Sequence, residues 1–258
     1  MAREIPIAVQ LYSVRHDLER DLRGTLKAVA EMGYAGVEFF GSPNRPAGEL
    51  RALLDEFSLA CAGWHTPFEL VQADDLERTI AFHRELGNKY IIIPGIPVEL
   101  RQSRADWLKL AEFFNRLSDK LASHGMVTGY HNHHIEFQEL DGELPWDTFF
   151  QNTKESVVMQ LDLGNAMMGG AQVMPILEKY PGRATTIHLK PYSWTAGKDD
   201  PHAGFRPIIG EDEVPWQDVF KLCESGGTEW YIVEYESDAY PPLEAVKKCL
   251  EGLRMLMG

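Results

Sequence analysis

The chain has 258 residues, 44% of them apolar, a formal net charge of -14 and a mean hydropathy of -0.27. That length allows one large domain or two small ones, and no stretch is long and apolar enough to predict a membrane span. The acidity repels polyphosphate backbones, so nucleic acid is not an expected partner, whereas divalent cations are favoured near an acidic cleft.

Met1-Ala2-Arg3-Glu4-Ile5-Pro6 places an acidic residue and a proline where a signal peptide would begin its apolar core. Cys61, Cys223 and Cys249 are odd in number, far apart and outside any CxxC pair. They read as small core residues in a reducing compartment, so the expected location is the cytoplasm.

Taken in order, the chain repeats one pattern: a short apolar run, a polar loop, then a helical period. Residues 5–11 read as the first strand, and 17–32 as an amphipathic helix ended by Gly33. Strand 35–40 is followed by helix 48–57, and strand 59–64 by helix 75–86. Strand 90–94 is apolar on both faces, as a doubly covered parallel strand should be, and helix 104–124 follows it. Strand 126–130 precedes helix 146–150, where Pro145 suits the first turn. Strand 157–162 precedes helix 172–180, strand 184–189 precedes helix 216–223, and strand 230–234 precedes helix 243–255. Such alternation demands parallel strands with right-handed crossovers. Eight units in this length predict an α/β fold, a (β/α)8 barrel forming one domain over residues 1–258. An open doubly wound sheet would carry a glycine-rich turn after its first strand. Here that position reads Gln10-Leu11-Tyr12-Ser13-Val14-Arg15.

In a barrel the carboxyl ends of the strands share one mouth, and chemistry is built there. Those ends supply Gln10 and Tyr12, Glu38, His65, then Tyr130-His131-Asn132-His133-His134-Ile135-Glu136, Gln160 with Asp162, His188 with Lys190, and Glu234 with Glu236. Asp162 and Glu234 directly follow apolar runs, where an unpaired carboxylate is costly to bury. A cation offsets that cost. Imidazole and carboxylate together suit a divalent transition metal.

These segments resemble the xylose isomerase-like TIM-barrel superfamily, and within it the sugar phosphate isomerase/epimerase-like group. The marks are Gln10 to Arg15, Gly36-Val37-Glu38, Tyr130 to Phe137, Asp162-Leu163-Gly164-Asn165-Ala166, Ile187 to Lys190 and Val233 to Glu236. The resemblance implies one divalent ion, manganese first and cobalt, magnesium or zinc as alternatives, on Asp162, His188 and Glu234. Many relatives carry a Glu where His131 stands, so Glu136 is expected as the substitute fourth ligand and His131 as a base. Glu234 and Glu136 are the other candidates for proton transfer, while Gln10, Tyr12, Glu38, His65, His133 and Lys190 are expected to meet the substrate. Asn165 stands where many relatives have a substrate-touching His, which implies a different substrate or pose.

The expected activity is isomerisation or epimerisation of a sugar or polyol by proton transfer beside a carbonyl. Three alternatives stay open: dehydration of an inosose or cleavage of a keto-glycoside, an apurinic-site endonuclease with a cluster of zinc ions, and a non-catalytic sugar-binding barrel. Acidity argues against the nuclease. The loop 191–215 is also acidic and shows no phosphate nest, so an unphosphorylated substrate is expected. Subunit number is left open, a homo-oligomer included.

Overall fold

A computed structural model describes residues 4–258. The reading of Met1-Ala2-Arg3 as part of the N-terminus lies outside them. Eight strands form one parallel sheet: β1 (Ile7–Gln10), β2 (Gly36–Phe40), β3 (Ala60–His65), β4 (Tyr90–Ile93), β5 (Val127–His131), β6 (Val158–Gln160), β7 (Thr186–Leu189) and β8 (Trp230–Val233). Their order is β6-β5-β4-β3-β2-β1-β8-β7, each neighbour pair parallel. The seam between β6 and β7 is closed by a bridge between Asp162 and His188. There the His188 amide donates to Leu161 O (2.9 Å) and the Met159 amide to Arg183 O (2.9 Å). The result is a barrel, as the alternation predicts.

The outer layer holds α1 (Arg15–Arg20), α2 (Leu22–Met32), α3 (Ala47–Glu56), α4 (Leu76–Leu86), α5 (Arg104–Ala122), α6 (Pro145–Phe150), α7 (Leu163–Met168), α8 (Val173–Lys179), α9 (Trp216–Gly226) and α10 (Pro242–Met257). Two of these differ from the sequence expectation. The single helix expected over 17–32 is broken at Asp21, whose extended backbone (φ -155°) stops α1 while its side chain accepts the Gly24 amide to start α2. The second, α7, lies where the sequence predicts only a strand end, and Asp162 caps it by accepting the Asn165 amide at 2.7 Å.

Strand alternation sorts the side chains. Val9, Val37, Ile91, Ile93, Met159, Ile187 and Val233 are fully buried between barrel and helices. Ala8, Ala62 and Ile232 form one cluster inside, and Tyr90, Ile92 and Val158 another. Gly129 admits this packing, because a Cβ there would lie 2.6 Å from Val158 O and 2.8 Å from Ile92 Cδ1. Among the described residues no helix is long and apolar enough to cross a membrane.

Candidate functional site

One step above that apolar interior, the strand ends turn polar. Gln10, Glu38, Gln160, Asp162 and His188 are completely buried, and His65, His131 and Glu234 nearly so. The ligating atoms of His131, Asp162, His188 and Glu234 all lie within 4.8 Å of one another. His188 Nδ1 is 2.6 Å from Glu234 Oε2, and its Nε2 is 2.6 Å from Glu38 Oε2. Asp162 Oδ2 faces His188 Nδ1 at 3.8 Å and His131 Nε2 at 3.9 Å.

Charge balance in this group comes from its partners. Burial alone would raise Glu38, but His65 and His188 outweigh it and hold the carboxyl at about 2. Burial would lower His188, and Glu38 and Glu234 overcome it, lifting the imidazole to about 10. Burial raises Asp162 to about 7 despite the pull of Lys190. Glu234 is held well below its ordinary value, since Lys190 and His188 outweigh its burial. Lys190 Nζ lies 3.5 Å from Glu234 Oε1 and donates to Glu236, and these carboxylates keep it charged although buried.

A cation fits this group on one observation. Asp162 Oδ2 is buried and has no hydrogen-bond partner, although it faces two imidazole nitrogens and lies in a group with a second carboxylate. A buried oxygen left in that state is costly, and a divalent ion among two imidazoles and two carboxylates would satisfy it. The imidazoles of His65, His131 and His188 also converge within 4.8 Å. That second trio is different, because Glu38 and Gln160 already occupy the nitrogens by which it converges.

The structure brings Asp162, His188 and Glu234 together but does not bring Glu136 to them. Glu136, expected as the fourth ligand, lies outside the converging group, and its surroundings account for that. It sits in a 3-10 turn (Ile135–Phe137), accepts the Tyr130 hydroxyl at 2.7 Å and the His133 amide at 2.8 Å, and is buried. Tyr130 points outward among Trp107, Phe114 and Phe149, so its hydroxyl draws Glu136 away from the mouth. His131 stands in the group instead. Burial and the neighbouring imidazoles of His65 and His188 lower it well below its ordinary value.

Two more expectations change. Gln10 and Glu38 have no exposed surface for a substrate: Gln10 Nε2 donates to Glu38 at 2.8 Å, and Glu38 backs His188. Glu38 reaches this position because Gly63 leaves room; a Cβ there would lie 2.5 Å from Glu38 Oε1. His65 is buried against Gln160 Oε1 (2.7 Å) and Glu38 Oε2 (3.1 Å). Phe39 and Trp64 are buried and stack on each other with ring centroids 4.8 Å apart. Tyr12 and Trp194 are partly exposed. A cavity of about 550 Å³ is lined by His133, Asn165, Lys190, Phe205, Arg206 and Glu236, among others.

Sequence reasoning passed over Asn132. Its side chain accepts the Asp162 amide (2.8 Å) and donates to Asp162 O (3.1 Å), clipping the end of β5 to the end of β6. Its place inside the histidine-rich run 131–134 is the sequence signal for this clip.

The xylose isomerase-like TIM barrel family model matches residues 26–256. A protein named inosose dehydratase from Clostridium beijerinckii is 25% identical over 249 residues, covering 82% of each chain. An inosose dehydratase from Serratia proteamaculans is 29% identical, covering 85% of this chain and 84% of the relative. The crystal structure of a sugar phosphate isomerase/epimerase from Parabacteroides distasonis superposes with a TM-score of 0.79 at 23% identity, covering 96% of this chain and 93% of that one. The chain belongs to the xylose isomerase-like TIM barrel family.

Proposed function

We propose that the chain is a divalent-metal-dependent enzyme that moves a proton at the carbon beside a carbonyl of a sugar or polyol, as an isomerase or epimerase does. The observation that carries this reading is the unpartnered, buried Asp162 Oδ2 facing His131 and His188, in a group completed by Glu234. His131, Asp162, His188 and Glu234 would hold the ion. Manganese follows from the resemblance, and two imidazoles also suit cobalt or zinc. When bound, the ion supplies Lewis-acid stabilisation of charge on a carbonyl oxygen.

The chain's own groups do the rest. Glu234 is the proposed base, because its carboxylate is held ionised and its Oε1 is turned toward Lys190 at the cavity wall. Lys190 is fixed between Glu234 and Glu236 and presents a permanent positive charge, suited to a developing oxyanion. His131 is proposed as a ligand rather than a base. His133, with Lys190 in the cavity lining, is placed to hold substrate hydroxyls.

Dehydration is the second reading, favoured by relatives named inosose dehydratase that match over most of both chains. There the C–H proton would pass to Glu234, the β C–O bond would break, and the departing hydroxyl would leave as water after taking a proton at the Lys190–Glu236 side of the cavity.

One experiment separates these. The metal-loaded protein is incubated in heavy water with a panel of keto-sugars and inososes. Deuterium entering the carbon beside the carbonyl, with ketose and aldose or epimer interconverting, supports the isomerase. Release of water with formation of an unsaturated ketone supports the dehydratase. A chain that holds one ion and does neither across the panel overturns both.

A further inference from the structure

We infer that Gln160 is a positioning residue whose single amide dictates which nitrogen of His131 carries the proton and so aims the other nitrogen at Asp162. Glu38 anchors this arrangement. This buried carboxylate accepts from Gln10 Nε2 at 2.8 Å, and the Gln10 amide is oriented because its Oε1 accepts the Tyr12 amide at 3.0 Å. An ionised carboxylate can only accept. The Gln160 atom 2.8 Å from Glu38 Oε1 is therefore the NH2 group, which also lies 3.1 Å from Thr186 Oγ1. The carbonyl end then faces two imidazoles, His65 Nε2 at 2.7 Å and His131 Nδ1 at 3.1 Å. A flipped amide would set its oxygen against the Glu38 carboxylate, so the orientation is forced.

A carbonyl oxygen accepts, so both facing nitrogens must carry hydrogen. His131 is then the Nδ1–H tautomer, and its bare Nε2 faces Asp162 Oδ2 at 3.9 Å. Glu38 orients the His188 ring, since Nε2 donates to its carboxylate; Nδ1, 2.6 Å from the ionised Glu234 and facing Asp162 Oδ2, also carries hydrogen in the metal-free protein and would give it up to an ion. Hydrogen bonds on the far nitrogen of a ligating histidine commonly fix its tautomer and ring orientation. Here one glutamine and one glutamate set both rings. Gln160 can do so because it is paired with His131 across β5 and β6 and points inward two residues before Asp162. A side-chain amide offers Glu38 a donor and the imidazoles an acceptor on two separate atoms of one planar group.

The tautomer stands independently of any metal; the consequence for metal affinity rests on the reading proposed above. The test uses the full chain and Gln160→Met, which keeps volume and removes both polar ends. Ring-nitrogen NMR on the metal-free protein reads the His131 tautomer, and chelator competition with Mn2+ and with Zn2+ reads affinity. The parent should show Nδ1–H. Gln160→Met should lose that signature and bind the ions about 10–100-fold more weakly. Thr186→Val removes another partner of the amide, the 3.1 Å contact to Thr186 Oγ1, and leaves the Glu38 and imidazole partners of Gln160 in place, so it should keep the tautomer and stay within about twofold of parental affinity. Parental His131 protonated on Nε2 overturns the inference, even if Gln160→Met does not fold. So does a folded Gln160→Met with the parental signature and affinity. A parent with the Nδ1–H tautomer that binds neither ion would refute the metal reading and leave the positioning role standing.

Discussion

Two layers inside this barrel lie two residues apart on the same strands and are built by opposite physics. On β1 the step runs from Ala8 to Gln10, on β6 from Val158 to Gln160, and on β8 from Ile232 to Glu234 just past its end. The lower layer is held by burial of apolar surface, and its cost of change follows volume. The upper layer is held by reciprocal hydrogen bonds, where losing one group orphans another. A structure that needed only stability would carry the lower layer upward. The polar layer instead ends on a carboxylate oxygen with no partner, at the face where barrel enzymes place their chemistry.

That contrast predicts that upper-layer changes cost function before fold. Glu234→Gln should lower turnover about 10²–10⁴-fold with little change in melting temperature, because the amide is nearly isosteric but takes no proton. Retained turnover in deuterium-exchange kinetics would break the comparison. His131→Ala should lose bound metal after dialysis, whereas Glu136→Gln should keep it and instead destabilise the fold by about 1–3 kcal/mol through the Tyr130 hydroxyl and His133 amide. Metal retained in His131→Ala and lost in Glu136→Gln would restore the sequence expectation.

The lower layer should behave in reverse. Ile92 is completely buried beside Tyr90 and Val158. Ile92→Ala should cost about 2–5 kcal/mol in denaturant unfolding while leaving metal affinity unchanged. A large loss of affinity there would mean that the floor, and not the polar network, shapes the site.

The two layers were not equally legible in the sequence. The barrel could be read because a strand and a helix impose different periods on apolar residues, and the chain switches between them eight times. Asp162, His188 and Glu234 could be read because each closes an apolar run at a strand end. The choice between His131 and Glu136 could not. It turns on the Tyr130 hydroxyl, which holds Glu136 outside the converging group, and a linear reading does not show where a short 3-10 turn will carry a carboxylate. Gln10 and Glu38 were expected at the rim for a related reason. Both side chains are completely buried inside the barrel, Glu38 two residues before the end of β2, where it backs His188. The helix after β6 was hidden because Asp162 serves both as cap and as a member of the buried group.

Histidine sharpens the comparison further, since the same ring meets a different fate outside the barrel. His188 has a carboxylate on each nitrogen and is lifted to about 10. His83, buried on α4 beside the rings of Trp64 and Phe82, has the neutral polar partners Asn88 (3.1 Å) and Thr66 (3.5 Å), and burial lowers it to about 4 from an ordinary 6.5. With the folded-state value depressed, the unfolded chain binds more protons between those two values, so stability falls as pH falls through that window. Between about pH 7 and about pH 5.5 this one group should remove about 1 kcal/mol, by the linkage between protonation and folding. Urea unfolding at a series of pH values measures it, with His83→Gln as the reference. The slope of stability against pH should be shallower in the variant than in the parent over this range. Equal slopes would show that His83 is not held neutral by burial, and that an imidazole in this fold need not have a carboxylate partner to keep its charge.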